Sequence, residues 1–249
     1  VGFILRRAEL AEHELHRVPL DSAVADTQGA IGYNIQLALY NRMRHFANRP
    51  PVATVVTQTL VDDADPAFQQ PTKPIGSFMD EATAQKRAAE EGWNVVEDAG
   101  RGWRRVVASP KPIDIVELEV IRGLIEANYV VVAVGGGGIP VVRGDDDVLQ
   151  GVEAVIDKDL ASSLLARQID ADLLLISTAV EKVYLDFGTP EQRPVDRMTV
   201  AEAREYIGQG HFKPGSMLPK VEAVLAFLEA GGGEALITDP PNIMRAVAG

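Results

Sequence analysis

The sequence contains no cysteine, and it lacks any long apolar run. The absence of cysteine among 249 residues excludes disulfides, thiol nucleophiles and cysteine metal ligands. No window approaches roughly 18 uncharged apolar residues, and Arg6 and Arg7 directly follow the first apolar run, so neither a membrane span nor a secretory signal is predicted. Asn-X-Ser/Thr sequons are also absent. Together these absences predict a cytoplasmic protein.

Basic residues are scarce relative to acidic ones. The 24 Lys and Arg residues stand against 36 Asp and Glu residues, which gives a net charge of -12. Such a charge repels nucleic acids and anionic membranes, so neither is an expected partner, and a small anionic ligand would need lysines placed locally. The 46% hydrophobic content suits one large globular domain or two small lobes.

Several familiar catalytic patterns are missing as well. The sequence has no P-loop, no GxGxxG and no GxSxG, and no serine–histidine–carboxylate arrangement can be argued from spacing. His13 and His16 are three residues apart on a predicted helix. They have no third ligand nearby, so an exposed helix face is favoured over a metal site. His45 and His211 are predicted to stand alone.

Strand and helix patterns alternate along the chain. Continuously apolar or β-branched runs predict strands at 52–61, 129–134, 173–177 and 235–238. Helical spacing predicts helices at 29–46, 114–127, 158–168, 199–207 and 218–229. Thr199 and Glu202 form the capping-box pattern of one of these helices. Buried strands separated by helices are typical of a mainly parallel sheet covered on both faces, so the predicted fold class is α/β.

Residues 62–112 interrupt this alternation. The stretch 62–76 is polar and rich in proline, 81–91 has the pattern of a solvated helix, and 92–110 alternates like a hairpin. We predict an excursion from the sheet that forms a lid. An ordinary surface insertion remains the alternative.

A run of four glycines, Gly135 to Gly138, follows the predicted strand at 129–134. It therefore lies at the carboxyl end of a buried strand, where ligands of open α/β sheets bind. Consecutive backbone N–H groups without side chains can surround a phosphate or carboxylate. We predict an anion site here, with a tight turn that binds nothing as the alternative.

Three lysines occupy positions suited to a local positive field. Lys158 begins a predicted helix, whose N-terminus attracts anions, and the adjacent Asp159 can orient it. Lys220 follows a loop marked by proline and glycine, and Lys73 lies on a segment stiffened by two prolines. Solvent-exposed lysines and a solvated helix cap remain the alternatives.

Seven segments, in order along nearly the whole chain, resemble the carbamate kinases of the amino acid kinase superfamily. They are QGAIGYNIQLAL (28–39), PTKPIGSF (71–78), GRGWRRVVASPKP (100–112), VAVGGGGIPVV (132–142), GVEAVIDKDLASSLLA (151–166), LLISTAVEKVYLDFGTP (174–190) and HFKPGSMLPKVEA (211–223). The strings PTKPIG and KPGSMLPK are the most specific of them.

The resemblance implies a three-layer α/β/α sandwich with a mainly parallel central sheet. A carbamate- and phosphate-binding lobe would span 1–150, including a protruding lid at about 62–112, and a nucleotide-binding lobe would span 151–249. The implied reaction is reversible phosphoryl transfer between carbamoyl phosphate with ADP and carbamate with ATP, assisted by Mg²⁺. A homodimer with a part in arginine metabolism is implied too. The helix at 29–46 is a candidate for the subunit contact, unless it lies in the core of the fold.

The resemblance also implies roles for individual residues. Lys158 matches the lysine at the transferring phosphoryl group, Asp159 the carboxylate that organises the lysines, Lys220 the contact to nucleotide phosphates, and Lys73 the contact to the carbamoyl side. The glycine loop at the phosphate site would be Gly135, Gly136, Gly137 and Gly138. The nucleotide-binding residues would be Ser177, Thr178, Ala179, Val183, Tyr184, Lys213, Pro214, Gly215, Ser216 and Met217. Magnesium would be held mainly by phosphate oxygens and water, without dedicated protein ligands.

The sequence departs from the family pattern at both ends. The family's N-terminal Gly-Gly-Asn and His-Gly-Asn-Gly-Pro-Gln turns do not occur here, nor does its final strand, so we expect a chain truncated at both ends. Two alternatives stay open. One is a sibling kinase that phosphorylates another small acid such as acetylglutamate or glutamate. The other is a catalytically inactive fragment that binds nucleotide or regulates a partner.

Overall fold

The structure, a computed structural model, describes residues 18–98 and 100–249. Its contacts divide the chain into two compact units, unit 1 (Val1–Ala161) and unit 2 (Ser162–Gly249). The boundary falls inside one helix, and the assignment of a substrate to each lobe remains a prediction. His13 and His16 lie outside the described residues.

Unit 1 contains most of the strands. Its elements are α1 (Leu20–Arg42), β1 (Val52–Thr54), β2 (Gln58–Val61), β3 (Lys73–Met79), α2 (Glu81–Glu91), β4 (Asn94–Glu97), β5 (Trp103–Val107), β6 (Pro112–Ile115), α3 (Leu118–Glu126), β7 (Val130–Val132), β8 (Ile139–Arg143), β9 (Leu149–Gly151) and the first turn of α4 (Lys158–Gln168). The chain makes 3-10 turns at Pro66–Phe68, Gly135–Gly137 and Asp145–Asp147.

The predicted strand at 52–61 is divided in two. β1 pairs with β7 and β2 pairs with β8, both in parallel, while β6 and β9 add antiparallel partners. Between β1 and β2, the Thr57 N–H donates to Gln28 Oε1 at 2.7 Å and the Thr57 hydroxyl donates to the Val55 carbonyl at 2.8 Å. Because these bonds replace the ladder, the strand is interrupted there.

Two predicted helix boundaries in unit 1 are wrong. α1 begins at Leu20 and ends at Arg42, so it starts well before residue 29 and stops before residue 46. α3 begins only at Leu118, because residues 112–115 pair with β2 as a strand.

The interruption at 62–112 contains a small antiparallel sheet in the order β3–β5–β4, with α2 beside it. The predicted hairpin is confirmed by the pairing of β4 with β5. α2 begins after Asp80, whose side chain accepts from the Thr83 N–H, and it ends at Gly92. Only Ala84 of this helix is buried, which confirms the prediction of a solvated helix.

Unit 2 contains the rest of α4, β10 (Leu173–Ser177), β11 (Val183–Leu185), β12 (Arg193–Val195), α5 (Val200–Gly208), α6 (Met217–Glu229), β13 (Glu234–Thr238), a 3-10 turn (Pro240–Asn242) and α7 (Ile243–Ala248). β10 and β13 pair in parallel over their full length. The predicted capping box is confirmed, since Thr199 and Glu202 exchange side-chain and backbone hydrogen bonds. Apolar residues of β11, α5 and α6 pack together as the core of this unit.

Parallel pairing joins β1 with β7, β2 with β8 and β10 with β13, and helices separate these strands in the chain. The predicted α/β class is therefore confirmed. Across residues 18–98 and 100–249 the strands form five separate hydrogen-bonded sheets. No helix in this part of the chain is long and apolar enough to cross a membrane.

Candidate functional site

The N-terminus of α4 collects two lysines and two aspartates in unit 1. Lys73 Nζ donates to Asp157 Oδ2 at 2.8 Å, and Lys158 Nζ lies 3.5 Å from Asp159 Oδ2. Asp157 Oδ1 accepts from the Asp159 N–H at 2.9 Å, while the Asp157 carbonyl accepts from the Ala161 N–H at 3.0 Å. Asp157 therefore has the position and the bonds of an N-cap residue. The chain thus brings Lys73 from β3 to the start of α4.

The charges at this helix start are partly sheltered from water. The side chains of Asp157 and Asp159 are 14% and 8% exposed, compared with 33% for Lys73 and 63% for Lys158. Burial opposes ionisation of Asp157. The hydrogen bond and charge of Lys73, the Asp159 N–H and the charge of Lys158 outweigh that effect and hold the pKa of Asp157 below its usual range. Asp157 is therefore ionised and paired at neutral pH.

The glycine run forms a tight turn in left-handed backbone conformations. Val134 has φ 54°, and the turn continues with Gly136 at 69°, Gly137 at 106° and Gly138 at 88°. The N–H groups of Gly137 and Gly138 donate to the carbonyls of Val134 and Gly135. A β-branched residue at positive φ is strained, and the Val134 N–H is held by the Thr57 hydroxyl at 3.0 Å.

Buried polar side chains pack against this turn. Gln28, Thr57 and Thr59 are at most 4% exposed. Gln28 bonds to both the N–H and the carbonyl of Thr57, and the Thr59 hydroxyl donates to the Gly137 carbonyl at 3.0 Å. A Cβ on Gly137 would lie 2.5 Å from the Ile156 carbonyl oxygen, directly before Asp157. The glycine turn therefore packs against the segment that begins α4.

In unit 2, the predicted nucleotide residues lie at the end of β10, in the loop after it, in β11, and in the loop before α6 or at its start. Ser177 ends β10, and the Thr178 N–H donates to the Thr238 carbonyl at 2.8 Å. Val183 is buried in β11. The Tyr184 ring lies 5.9 Å from the ring of Phe187, which is 47% exposed. The exposed Ala179 follows in the loop between β10 and β11.

The loop Lys213–Met217 leads directly into α6. The Lys213 carbonyl accepts from the N–H groups of Ser216 and Leu218, each at 3.3 Å, and Gly215 has φ 69°. Pro214 and Ser216 are exposed, Met217 begins α6, and Lys220 is half-buried in its first turn. A Cβ on Gly188 would lie 3.7 Å from Lys213 Nζ, so this loop lies beside the one that follows β11.

The structure adds residues that sequence reasoning missed. Asp157 was overlooked although an Asp directly before a helix start is a recognisable N-cap signal. The prediction that His211 stands alone is wrong, because His211 Nδ1 lies 2.8 Å from Asp186 Oδ1 and the Tyr206 ring contacts the imidazole edge-on. Spacing along the chain could not reveal that pair. Among the described residues, no three His, Asp or Glu side chains cluster closely enough to hold a metal ion.

Comparison with known proteins gives consistent results. Residues 52–239 match the amino acid kinase family. The carbamate kinase-like protein YahI of Escherichia coli is 53% identical over 252 residues, which cover 100% of this chain and 79% of the relative. The carbamate kinase of Thermococcus kodakarensis is 51% identical, with 93% of this chain and 73% of the relative covered. The structure of carbamate kinase from Giardia lamblia bound to AMP-PNP matches with a TM-score of 0.91 and 41% identity, covering 100% of this chain and 78% of that one.

Proposed function

This chain belongs to the amino acid kinase family, on its carbamate kinase branch, and on that premise we propose that it transfers a phosphoryl group reversibly between ATP and carbamate. The reaction consumes carbamoyl phosphate and ADP in one direction and releases carbamate, which breaks down to CO₂ and ammonia. The observation that carries the proposal is the charged cluster of Lys73, Asp157, Lys158 and Asp159 at one helix N-terminus, in a chain that is about half identical to carbamate kinases.

The chemistry requires this kind of cluster. A phosphoryl group in transfer carries negative charge on its equatorial oxygens, and the protein has to position it and neutralise that charge rather than attack it covalently. Lys158 is exposed at the N-terminus of α4, where the helix dipole favours the same charge. Lys73 supplies a second ammonium group from β3. We assign the transferring phosphoryl group to Lys158 and the carbamoyl side to Lys73.

The nucleotide belongs to unit 2 in this proposal. Its base and ribose are assigned to the end of β10 and the loop that follows it, together with Val183 and Tyr184 of β11. The loop Lys213–Met217 closes over them, and the phosphates are assigned to Lys220. The Giardia lamblia carbamate kinase was solved with the nucleotide AMP-PNP, and this chain shares 41% of its residues with that protein. Loops at strand ends are where nucleotides bind in α/β proteins.

Mg²⁺ enters as part of the nucleotide substrate. In nucleotide sites this ion is coordinated mainly by phosphate oxygens and water, together with one or two carboxylates. The start of α4 offers carboxylates of the kind that this mode uses. When bound, the ion would neutralise charge on the phosphates of the nucleotide.

A homodimer is the expected assembly, with α1 as the contact. Its second half exposes large apolar side chains in succession, namely Ile31 (53%), Tyr33 (62%), Ile35 (40%), Leu37 (44%) and Tyr40 (52%). An apolar surface of this kind on a helix is typical of a protein–protein interface. Tyr33→Glu combined with Leu37→Asp is expected to convert the dimer to a monomer in light scattering. A wild-type monomer would contradict the assembly. Cytoplasmic location and a part in arginine metabolism also stay predictions.

The direct test is ATP formation from carbamoyl phosphate and ADP, followed with a coupled assay. Lys158→Ala is expected to lower kcat by about 100-fold or more, because the developing charge loses its nearest cation. Lys86→Ala is the matched control, since Lys86 lies on the solvated helix α2 with its side chain 69% exposed. Normal activity of Lys158→Ala would contradict the assignment of that residue.

A substrate panel separates the alternatives that the sequence left open. Phosphorylation of acetylglutamate or glutamate instead of carbamate would identify a sibling kinase. ATP binding in calorimetry without turnover of any acceptor would identify an inactive binding protein. We expect carbamate to be the preferred acceptor, in line with the carbamate kinases that resemble this chain.

A further inference from the structure

We infer that Asp157 is a positioning residue for the reaction, which fixes Lys73 against the start of α4. The inference rests on the proposed function, because it assigns a role within the same site. Asp157 is distinct from Lys73 and Lys158, to which the proposal assigns the two parts of the substrate. It acts through Lys73 rather than by touching the reacting atoms.

The three acceptor oxygens of Asp157 bind three different donors. Oδ2 accepts from Lys73 Nζ at 2.8 Å, and Oδ1 accepts from the Asp159 N–H at 2.9 Å. The main-chain carbonyl accepts the first helical bond, from the Ala161 N–H at 3.0 Å. One carboxylate therefore joins β3 to the helix start that carries Lys158. Any displacement of Asp157 moves the ammonium group of Lys73 relative to that helix.

Lys73 retains the capacity to bind an anion while it is paired. An ammonium group has three N–H donors, and Asp157 takes one of them. The Lys73 side chain is 33% exposed, so part of its surface remains accessible to a ligand. A free lysine stem loses about 2 kcal/mol of rotamer entropy when it is held in one conformation. Because the pair with Asp157 orders the stem before substrate arrives, the substrate meets a preorganised cation.

A second ion pair offers a matched comparison. Arg105 of β5 pairs with Glu153, which lies in the same segment before α4. This pair joins the same small sheet to the same segment, but it does not involve Lys73. Glu153→Gln thus removes a comparable ion pair but leaves the pair of Lys73 with Asp157 in place. Its kinetics show the effect of weakening the contact between the small sheet and the segment before α4.

The capping role of Asp157 can be separated from its pairing role. Asparagine is as good an N-cap as aspartate because its carbonyl oxygen accepts the same bond from the helix. Asp157→Asn keeps that bond to the Asp159 N–H and removes the charge that holds Lys73. A loss of activity in this variant with little loss of stability therefore reports on Lys73 rather than on the helix.

The kinetic experiment compares wild type, Asp157→Asn, Lys73→Met, the double variant and Glu153→Gln in the assay of ATP formation. We expect Asp157→Asn to lower kcat/KM for carbamoyl phosphate about tenfold or more, with KM for ADP within about twofold of wild type. Glu153→Gln is expected to stay within about twofold of wild type. In the double variant, Asp157→Asn should add less than about twofold to the effect of Lys73→Met, because its partner is already gone.

Several outcomes would overturn the inference. They are wild-type kinetics in Asp157→Asn, an equal loss in Glu153→Gln, an equal rise in KM for both substrates, and full additivity in the double variant. Wild-type protein without any turnover would instead refute the proposed function itself, so the two failures are distinguishable.

A labelling experiment tests the contact without relying on turnover. The wild type and both single carboxylate variants are treated with an amine-reactive acylating reagent, and modification is followed by mass spectrometry. We expect Lys73 to react at least about threefold faster in Asp157→Asn, because the contact that holds its amine against the carboxylate is lost. Lys86 serves as the internal reference. Unchanged reactivity of Lys73 would overturn the inference.

Discussion

Two glycine-rich turns in this protein look alike in sequence but lie at opposite ends of strands. The first, Gly135–Gly138, follows the carboxyl end of β7, and the second, Gly231–Gly233, precedes the amino end of β13. Both contain residues in the left-handed region, such as Gly136 at φ 69° and Gly231 at φ 100°. In α/β folds, ligands bind beyond the carboxyl ends of the strands. Only the first turn therefore lies where chemistry is expected.

The two turns also differ in what they pack against. The first rests on the buried side chains of Gln28 and Thr59 and on the Ile156 carbonyl, next to the charged start of α4. The second rests on the Phe227 ring and the Asp172 carbonyl. The hydrogen bond from the Thr59 hydroxyl fixes the orientation of the Gly137 carbonyl. The Phe227 ring only excludes a Cβ at Gly232. Two glycine runs of similar composition thus have different surroundings, and those surroundings make only the first a candidate site.

Cleft volume alone would point to the second turn. The cleft beside the second turn measures about 530 Å³, against about 260 Å³ for the one between α1 and the first turn. The larger cleft lies at the amino ends of β10 and β13, and none of the described residues that line it is a lysine. Charge and strand direction favour the first turn as the candidate site, whereas cleft volume favours the second.

The largest expected effect is that of Gly138→Ala. A Cβ there would lie 1.9 Å from Thr59 Oγ1, and Gly138 has φ 88°. The clash and the strain together should destabilise the fold by about 3 kcal/mol or more and abolish activity. Urea unfolding and the coupled assay measure both quantities. An unchanged unfolding midpoint would remove the basis for calling the first turn tightly constrained.

Gly232→Ala should lower stability but leave the chemistry intact. Its Cβ would lie 2.5 Å from the Phe227 ring, which has to shift, at a cost of about 2 kcal/mol. We expect kcat per folded molecule to equal that of wild type at 25 °C. Phe227→Leu in the same chain is the control, since a smaller side chain should recover part of the lost stability. A specific loss of kcat would break the distinction between the two turns.

Gly231→Ala is expected to have a smaller effect than either. Nothing lies within 4 Å of a Cβ at this position, so only the φ of 100° opposes alanine, at about 1 kcal/mol. Gly29→Ala gives the matched contrast inside α1, where space is equally open and φ is helical. That variant should gain about 0.5–1 kcal/mol. Equal effects of the two changes would show that backbone conformation is not the cause.

The smallest expected effect is a pH dependence of folding stability that arises from Asp157, which follows the residue that the first turn packs against. The pKa of Asp157 is lowered in the folded protein, so its contribution to stability is present above the unfolded pKa of about 3.9 and is lost as the pH falls through the folded pKa. At pH 7, Asp157→Asn should be less stable than wild type by about 1 kcal/mol or less. That gap should close below about pH 4 in urea unfolding. A gap that widens on acidification would contradict the assigned direction.

Much of the fold was accessible from the sequence because local signals agree with the final contacts. The apolar run at 173–177 became β10, the capping box at Thr199 became the start of α5, and the alternating residues after Gly92 became the β4–β5 hairpin. The break between β1 and β2 could not be foreseen, since it depends on Gln28, a side chain from another element. The same holds for the late start of α3, because residues 112–115 pair with β2 as a strand.

The sequence by itself determined the α/β class, the interruption at 62–112 and the candidate lysines, because periodicity, proline content and helix-start residues are local properties. Only the tertiary structure decided that Lys73 meets Asp157, that His211 meets Asp186 and that Gly137 packs against Ile156. The members of each pair lie on different elements, and their distance depends on how strands pair and helices pack. Long-range contacts of this kind bring together residues that the sequence shows only separately.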